Sequence, residues 1–311
     1  MKKNKRILKG FILTISLVLL LIIIDYIRIN IRYYLDKKQY EESVPIKGVR
    51  DGYAPQGLAF SEEYNVVLET SYKKNDVSKL YVIDFNTDIV LKELELYLEN
   101  GLQNMTHVGG IAVDKERVWI TGDGMISEYS LFSIMNPIES KIKSTRDDKI
   151  PIRGDFCYYS NNTLWIGDFY LKPLYNVPND NPLAYAYDTT KLLNYDNPKL
   201  AIQVPKMVQG MSITKDNEFL FTTSYTNLIN SNLYKYKDIT KGRKKKIKIK
   251  EKYIPYYEIS NNDLISTKKL PPMAEGMFYY DGYAFIIFEN NSSKYFFAYP
   301  KVRNVLKYMI K

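Results

Sequence analysis

Apolar positions along the chain fall into two regimes. Residues Gly10 to Ile24 (GFILTISLVLLLIII) carry no charge, and Ile7, Leu8, Tyr26 and Ile27 extend the apolar stretch to about the 20 residues that a bilayer requires of a spanning helix. From about residue 50 the apolar residues come instead in short runs of strand length. These are bounded by Gly, Asn, Asp and Pro and show no sustained helical period. The pattern predicts one N-terminal transmembrane helix followed by an all-β domain.

Within that domain five runs open alike: APQGLAF at Gly57, HVGGIAV at Gly110, IRGDFCY at Gly154, VQGMSIT at Gly210 and MAEGMFY at Gly276. About twelve residues beyond each glycine a second apolar run ends, in VVLETSY, VWITGDG, LWIGDFY, FLFTTSY and FIIFENN, a near-constant offset of the kind repeats show. Turn residues separate the two runs, among them Asn161 with Asn162 and Asp281 with Gly282, as a strand-turn-strand unit requires. A third run often follows, as in SKLYVIDFNTDIVLKELEL, SNLYKYKDI and SKYFFAYP. Each repeat is then a small antiparallel sheet, and a spacing of roughly 45 to 65 residues predicts a β-propeller, most simply of five blades. A β-sandwich of similar hairpins is the competing architecture. The stretches from Leu171 to Pro205 and from Thr240 to Pro272 leave room for a further blade without its own glycine.

The predicted organisation is a basic tip and anchor over residues 1–30, an amphipathic juxtamembrane stem over 31–50 and the propeller over 51–311. Lys2, Lys3, Lys5, Arg6 and Lys9 precede the apolar run and place the N-terminus in the cytoplasm and the domain outside it. Arg28, Arg32, Lys37 and Lys38 on the other flank oppose that orientation in part. A cleaved signal peptide would share the basic start, but no small-x-small cleavage site follows. A retained single-pass anchor in the cell membrane is therefore expected.

Composition adds three points. The 29 Tyr residues suit half-buried pleated surfaces. The net charge of +9 favours anionic surroundings such as lipid head groups or wall polymers. Part of it lies in KGRKKKIKIKEK, from Lys241 to Lys252, which reads as a solvated hairpin or as a contact for lipid or teichoic acid. The one cysteine, Cys157, excludes an internal disulfide and is expected to be buried. A dinucleotide fingerprint, a P-loop and a haem attachment site are absent. Nucleic acid is not an expected partner, because no recognised module accompanies the charge.

The set QGLAF with ETSY, HVGGIAV with VWITG, VQGMSIT with TTSY, and LPPMAEGM with FEN resembles a group of secreted or membrane-anchored bacterial β-propeller proteins of largely unknown function. That resemblance spans nearly the whole β-domain and implies a propeller in the cell envelope. A weaker similarity, confined mainly to QGLAF, ETSY and SKLYVIDFNTDIV, is to five-bladed propeller glutamine cyclotransferases; later blades depart from that pattern.

In a propeller the repeat itself nominates a site, because equivalent strand ends converge on a central channel. Beside the opening glycines lie Gln56, Arg153, Asp155, Gln209 and Glu275, and at the ends of the second runs lie Glu69, Ser71, Asp123, Asp168, Ser224, Glu289 and Asn290. His107, the one histidine, suits general acid or base work or a structural hydrogen bond. Glu69, His107 and Glu275 are the catalytic candidates. Gln56, Asp123, Asp155, Asp168, Gln209, Ser224 and Glu289 are the ligand-binding candidates. Paired carboxylates fit glycosyl or acyl chemistry, or hold water and backbone amides; they leave calcium open by oxygen ligation, and no metal ligands are assigned. A Ser-His-Asp set lacks the G-x-S-x-G elbow. Two functions follow: a module that binds an envelope saccharide, peptide or protein, or a channel-sited hydrolase or transferase, glycosidase-like or glutaminyl-cyclase-like.

Overall fold

A computed structural model describes residues 2–177 and 181–310; the side chains from Lys2 to Leu8, and those of Arg32 and Asp36, lie outside the described part. The helix α1 (Lys2–Leu35) contains the stretch Lys9–Leu35, long and apolar enough to cross a membrane. Its side chains from Phe11 to Ile24 are largely exposed. A 3-10 turn (Asp36–Gln39) leads into strand β1 (Glu41–Pro45).

Blade 1 comprises β2 (Ala54–Ser61), β3 (Val66–Tyr72), β4 (Lys79–Asp84) and β5 (Val90–Tyr97). Blade 2 comprises β6 (Gly110–Val113), β7 (Arg117–Gly122) and β8 (Met125–Ser130), followed by the short helix α2 (Leu131–Met135). Of the next two strands, β9 (Lys141–Lys143) runs parallel to β5 and β10 (Arg146–Lys149) completes blade 2. Blade 3 is β11 (Phe156–Ser160), β12 (Thr163–Gly167), β13 (Leu183–Asp188) and β14 (Leu200–Gln203). Blade 4 begins with β15 (Val208–Ile213), β16 (Phe219–Thr223) and β17 (Ser231–Tyr236). The hairpin of β18 (Arg243–Ile249) and β19 (Lys252–Glu258) extends blade 3 through a parallel pairing with β14, and β20 (Leu264–Leu270) then completes blade 4. Blade 5 is β21 (Ala274–Tyr280), β22 (Tyr283–Phe288) and β23 (Asn304–Met309), with β1 as its outer strand.

Among the described residues the strands thus form five sheets. Neighbouring inner strands touch in the cyclic order β2, β6, β11, β15, β21 and back to β2. Two stretches that had room for an extra blade are used otherwise: one holds β13 and β14, the other the β18–β19 hairpin and β20. Part of the expected stem is a propeller strand, because β1 pairs antiparallel with β23, Glu41 opposite Lys307 and Pro45 opposite Asn304. SKYFFAYP, read from sequence as a third strand, is instead a 3-10 turn (Ser293–Tyr295) and a loop, and the third strand of blade 5 lies beyond it.

Side-chain size explains the ring. Middle strands such as β3 are buried on both faces because a blade packs against each side of them. Inner strands come closer still. A Cβ on Gly276 would lie 2.6 Å from the Leu58 nitrogen and 2.7 Å from the Gln56 oxygen, and one on Gly57 would lie 3.0 Å from the Ile111 nitrogen. Gly110 pairs with Thr121 and Gly210 with Thr222. In blade 3 the sizes are exchanged: Phe156 takes the glycine position and pairs with Gly167, whose Cβ would fall on the Phe156 ring. The opening residue of blade 3 is therefore Phe156. Gly154, aligned from sequence with the other glycines, lies two residues earlier at φ +68°, where it turns the chain into the strand.

Tight hairpins follow the turn residues. Asn161 and Asn162 both adopt positive φ, as do Asp281 and Gly282, the backbone of the two-residue turns that match strand twist. Cys157 is buried in the core between blades 2 and 3, where burial pushes its thiol up to about 12. The basic run forms β18, whose lysines are exposed while Ile247 and Ile249 lean on the blade 3 core.

Candidate functional site

Inner strands begin, and second strands end, at the same mouth of the channel. In blades 1, 4 and 5 the pairing register slips by a residue at Gln56–Gly57, at Gln209 and at Glu275–Gly276. Such bulges re-aim a side chain out of the regular alternation. They bring Gln56, Gln209 and Glu275 into one cluster with Glu289, which follows the end of β22.

Glu275 is 3% exposed and accepts a hydrogen bond from Gln209 Nε2 at 3.3 Å. Gln56, equally buried, donates through Nε2 to Glu289 Oε2 at 3.2 Å and to the Pro55 carbonyl at 2.9 Å. The two carboxyls are hydrogen-bonded to each other. Burial, then the Glu289 charge beside it, raises Glu275 well above the usual carboxylate range. Burial also raises Glu289, against the Tyr295 hydroxyl, the Lys294 cation and Gln56, which favour its ionised form. Of the two, Glu275 therefore holds a proton the more tightly and shares it with Glu289 across their hydrogen bond.

Around this pair the mouth is aromatic and cationic. Lys294 Nζ donates to the Tyr72 hydroxyl and lies over the Tyr72 and Tyr295 rings at 4.5 and 4.8 Å. The His107 ring stands 4.1 Å from that of Tyr72. Burial, with Lys294 and Arg153 nearby, lowers the imidazole to about 4, so it is neutral at pH 7. Asp123 accepts the His107 backbone N–H at 2.8 Å. On the blade 3 side Arg153 pairs with Asp155 at 2.8 Å and lies 4.8 Å over Tyr175. Asp155 also accepts the Phe169 N–H at 2.8 Å. Asp168 accepts the N–H groups of Arg153 and Gly154 at 2.8 and 3.2 Å, and burial with Asp155 alongside raises it to about 6. Ser224 is buried at the end of β16.

Of the three catalytic candidates, Glu275 lies in the carboxyl pair and His107 beside Tyr72, while Glu69 lies apart from both. Opposite Leu58 it occupies the position that the other blades fill with Ile120, Ile166, Phe221 and Ile286. Its carboxyl accepts the Lys47 N–H at 3.1 and 3.2 Å and the Ser71 hydroxyl at 3.3 Å. Glu69 thus ties the segment between β1 and β2 to blade 1, and burial pushes it up to about 8. Two residues absent from the sequence nominations, Lys294 and Tyr295, complete the carboxyl cluster. They sit in a loop, outside the strand register from which the nominations were drawn.

An open cavity of about 870 Å³ occupies the opposite mouth, lined by hairpin residues including Glu62, Asp114, Arg117 and Asn161. Volume and chemistry lie at different ends. The buried carboxyl pair is the more telling, because the hairpin charges are those of ordinary solvated turns, as in the 2.7 Å Arg117–Asp114 pair. Among the described residues no cluster of three or more His, Cys, Asp and Glu side chains is arranged to hold a metal ion.

No family model matches the chain, and no curated protein does. Solved structures align with most of its length. A glutaminyl cyclase from Myxococcus xanthus aligns over 88% of this chain and 97% of its own, with a TM-score of 0.49 and 10% identity. The PQQ-bound aldose sugar dehydrogenase from Streptomyces coelicolor aligns over 87% and 97%, with a TM-score of 0.49 and 11% identity. Likeness at this level carries nothing further; by its own strand order the chain is a five-bladed β-propeller preceded by one apolar helix.

Proposed function

We propose that the chain is a membrane-anchored, extracytoplasmic propeller that binds a hydroxyl- or amine-bearing ligand, an envelope saccharide or peptide, at the channel mouth. The observation that carries this reading is the proton-sharing pair Glu275 and Glu289, held by Gln56 and Gln209 on strand bulges. A half-buried carboxylate with fixed amide neighbours accepts hydrogen bonds from a polar ligand, and the nearby rings of Tyr72 and Tyr295 offer faces for its apolar side. The anchor rests on the uncharged run of α1, and the orientation on the lysines before it.

Catalysis by the pair is the second reading, favoured by two adjoining buried carboxyls of which Glu275 holds a proton more tightly than Glu289. Against a glycosidase stands the direct hydrogen bond between them, since a substrate-spanning pair needs about 5 Å or more of separation. Titration of the detergent-solubilised chain with wall saccharides and peptides tests both. Glu289→Gln should weaken binding at least about tenfold, equivalent to ~1.4 kcal/mol, and Glu69→Gln should leave it unchanged. Absence of binding throughout, or affinity indifferent to Glu289, overturns the proposal; product formation abolished by Glu275→Gln replaces it with the enzyme.

A further inference from the structure

We infer that the channel mouth bearing Glu289 docks on the surface of the bilayer that α1 crosses, with its rim seated among anionic lipid head groups. The inference rests on the anchor reading above. One loop carries most of the argument. The connection from β22 to β23 supplies Glu289, Lys294 and Tyr295 to the site; it then presents Phe296 and Phe297, 74% and 61% exposed with their rings 4.5 Å apart. Three residues after Phe296 comes Tyr299, whose ring meets that of Tyr26 in α1 at 5.0 Å.

Tyr26 fixes the height of this loop. It lies two residues past Ile24, the end of the uncharged run, which at the helical rise is about 3 Å along the axis. A loop touching α1 there stands at the head-group layer, where paired aromatic side chains are favoured. The loop is also fixed to the body of the propeller. Buried Asn290 donates to the Pro272 carbonyl at 3.0 Å and accepts the Val302 N–H at 3.0 Å, while Lys301 Nζ donates to the carbonyls of Asn290 and Tyr295 at 2.9 and 2.7 Å.

A second contact repeats the geometry. Ile29 of α1 is 3% exposed and lines a crevice with Asn230, Leu270 and Pro271, from the connection before β17 and the end of β20 at this same mouth. Immediately before Asn230, Leu228 and Ile229 are 43% and 65% exposed. Apolar tips flank the mouth on the helix side, and exposed Lys294, Lys206 and Arg153 lie at the same end. That pairing of apolar tips with cations matches an anionic bilayer surface. A ligand reaching Glu289 then passes through the head-group layer.

The full chain reconstituted in vesicles of phosphatidylcholine with about one-third phosphatidylglycerol tests the inference by brominated-lipid quenching of a thiol-linked fluorophore. Buried Cys157 stays in place. Single cysteines are introduced as Phe297→Cys and Ile229→Cys at the mouth, Lys115→Cys at the opposite mouth and Leu20→Cys in α1. Quenching at 297 and 229 should approach that at 20 and exceed that at 115 by roughly twofold or more. Quenching at 20 with 297 and 229 no stronger than 115 overturns the docking and leaves the anchor standing; no quenching at 20 overturns the anchor, and the docking with it.

Discussion

Glu69 should make the propeller less stable as the pH rises, and replacing it should remove that loss. In the folded chain burial holds its carboxyl up to about 8, against 4.5 for an ordinary glutamate. The folded state keeps the proton where the unfolded state has released it, so stability falls as pH rises through this window and levels off above about 8. The slope is about 1.4 kcal/mol per pH unit, which accumulates to ~3 kcal/mol at pH 7. Glu69→Gln retains an oxygen for the Lys47 N–H and carries no titrating proton. Wild type and variant should therefore be close near pH 4.5, and the variant should lead by up to ~3 kcal/mol at pH 7. Other buried acids titrate in both chains, so the difference between the chains isolates this one. Urea unfolding in detergent micelles, followed by the fluorescence of buried Trp119 and Trp165, reads it directly. A difference that stays flat from pH 5 to 8, or a variant less stable at pH 7, would refute the reasoning.

Gly276→Ala should lower the urea midpoint by the equivalent of about 1–3 kcal/mol, because the new methyl meets the backbone of blade 1 and neither strand can retreat. Thr222→Val removes the 2.7 Å hydrogen bond to the buried Glu275 carbonyl. It should cost about 1–3 kcal/mol in the same assay, the penalty of an unpaired buried acceptor. Ligand affinity at the mouth should fall on acidification as the Glu289 carboxylate gains its own proton, and titrations at descending pH would show it; a rise in affinity would mean that the fully protonated pair is the binding form.

The repeat was legible because close approach of inner strands leaves a visible trace. Gly57, Gly110, Gly210 and Gly276 all stand where a Cβ would strike a neighbouring blade, and four such marks sufficed to show the architecture. Blade 3 obeys the same packing rule with partners exchanged, Phe156 against Gly167, so its glycine lies on the other strand and the alignment slipped by two residues. Gln56, Gln209, Glu275 and Glu289 come together in the structure because they sit at repeat positions. Glu69 was nominated on the same logic, yet its side chain points to the opposite face of β3 from Thr70, a distinction that requires the register. Lys294 and Tyr295 had no counterpart in other blades from which to be inferred. The aromatic SKYFFAYP was mistaken for a strand because exposed aromatics on a loop and half-buried aromatics on a strand have the same composition.

Closure of the ring by β1 has a mechanical meaning. The strand that locks blade 5 comes directly after the apolar helix α1, with only the turn Asp36–Gln39 and Tyr40 between them. With α1 anchored as proposed, a pull on the domain away from the membrane passes through the contacts of α1 with the domain to the β1–β23 ladder, and no slack linker absorbs it. The same arrangement orders biogenesis: β1 leaves the ribosome long before β23 and has no partner until β23 has been made. The tether and the clasp are one piece of polypeptide, so releasing one loads the other.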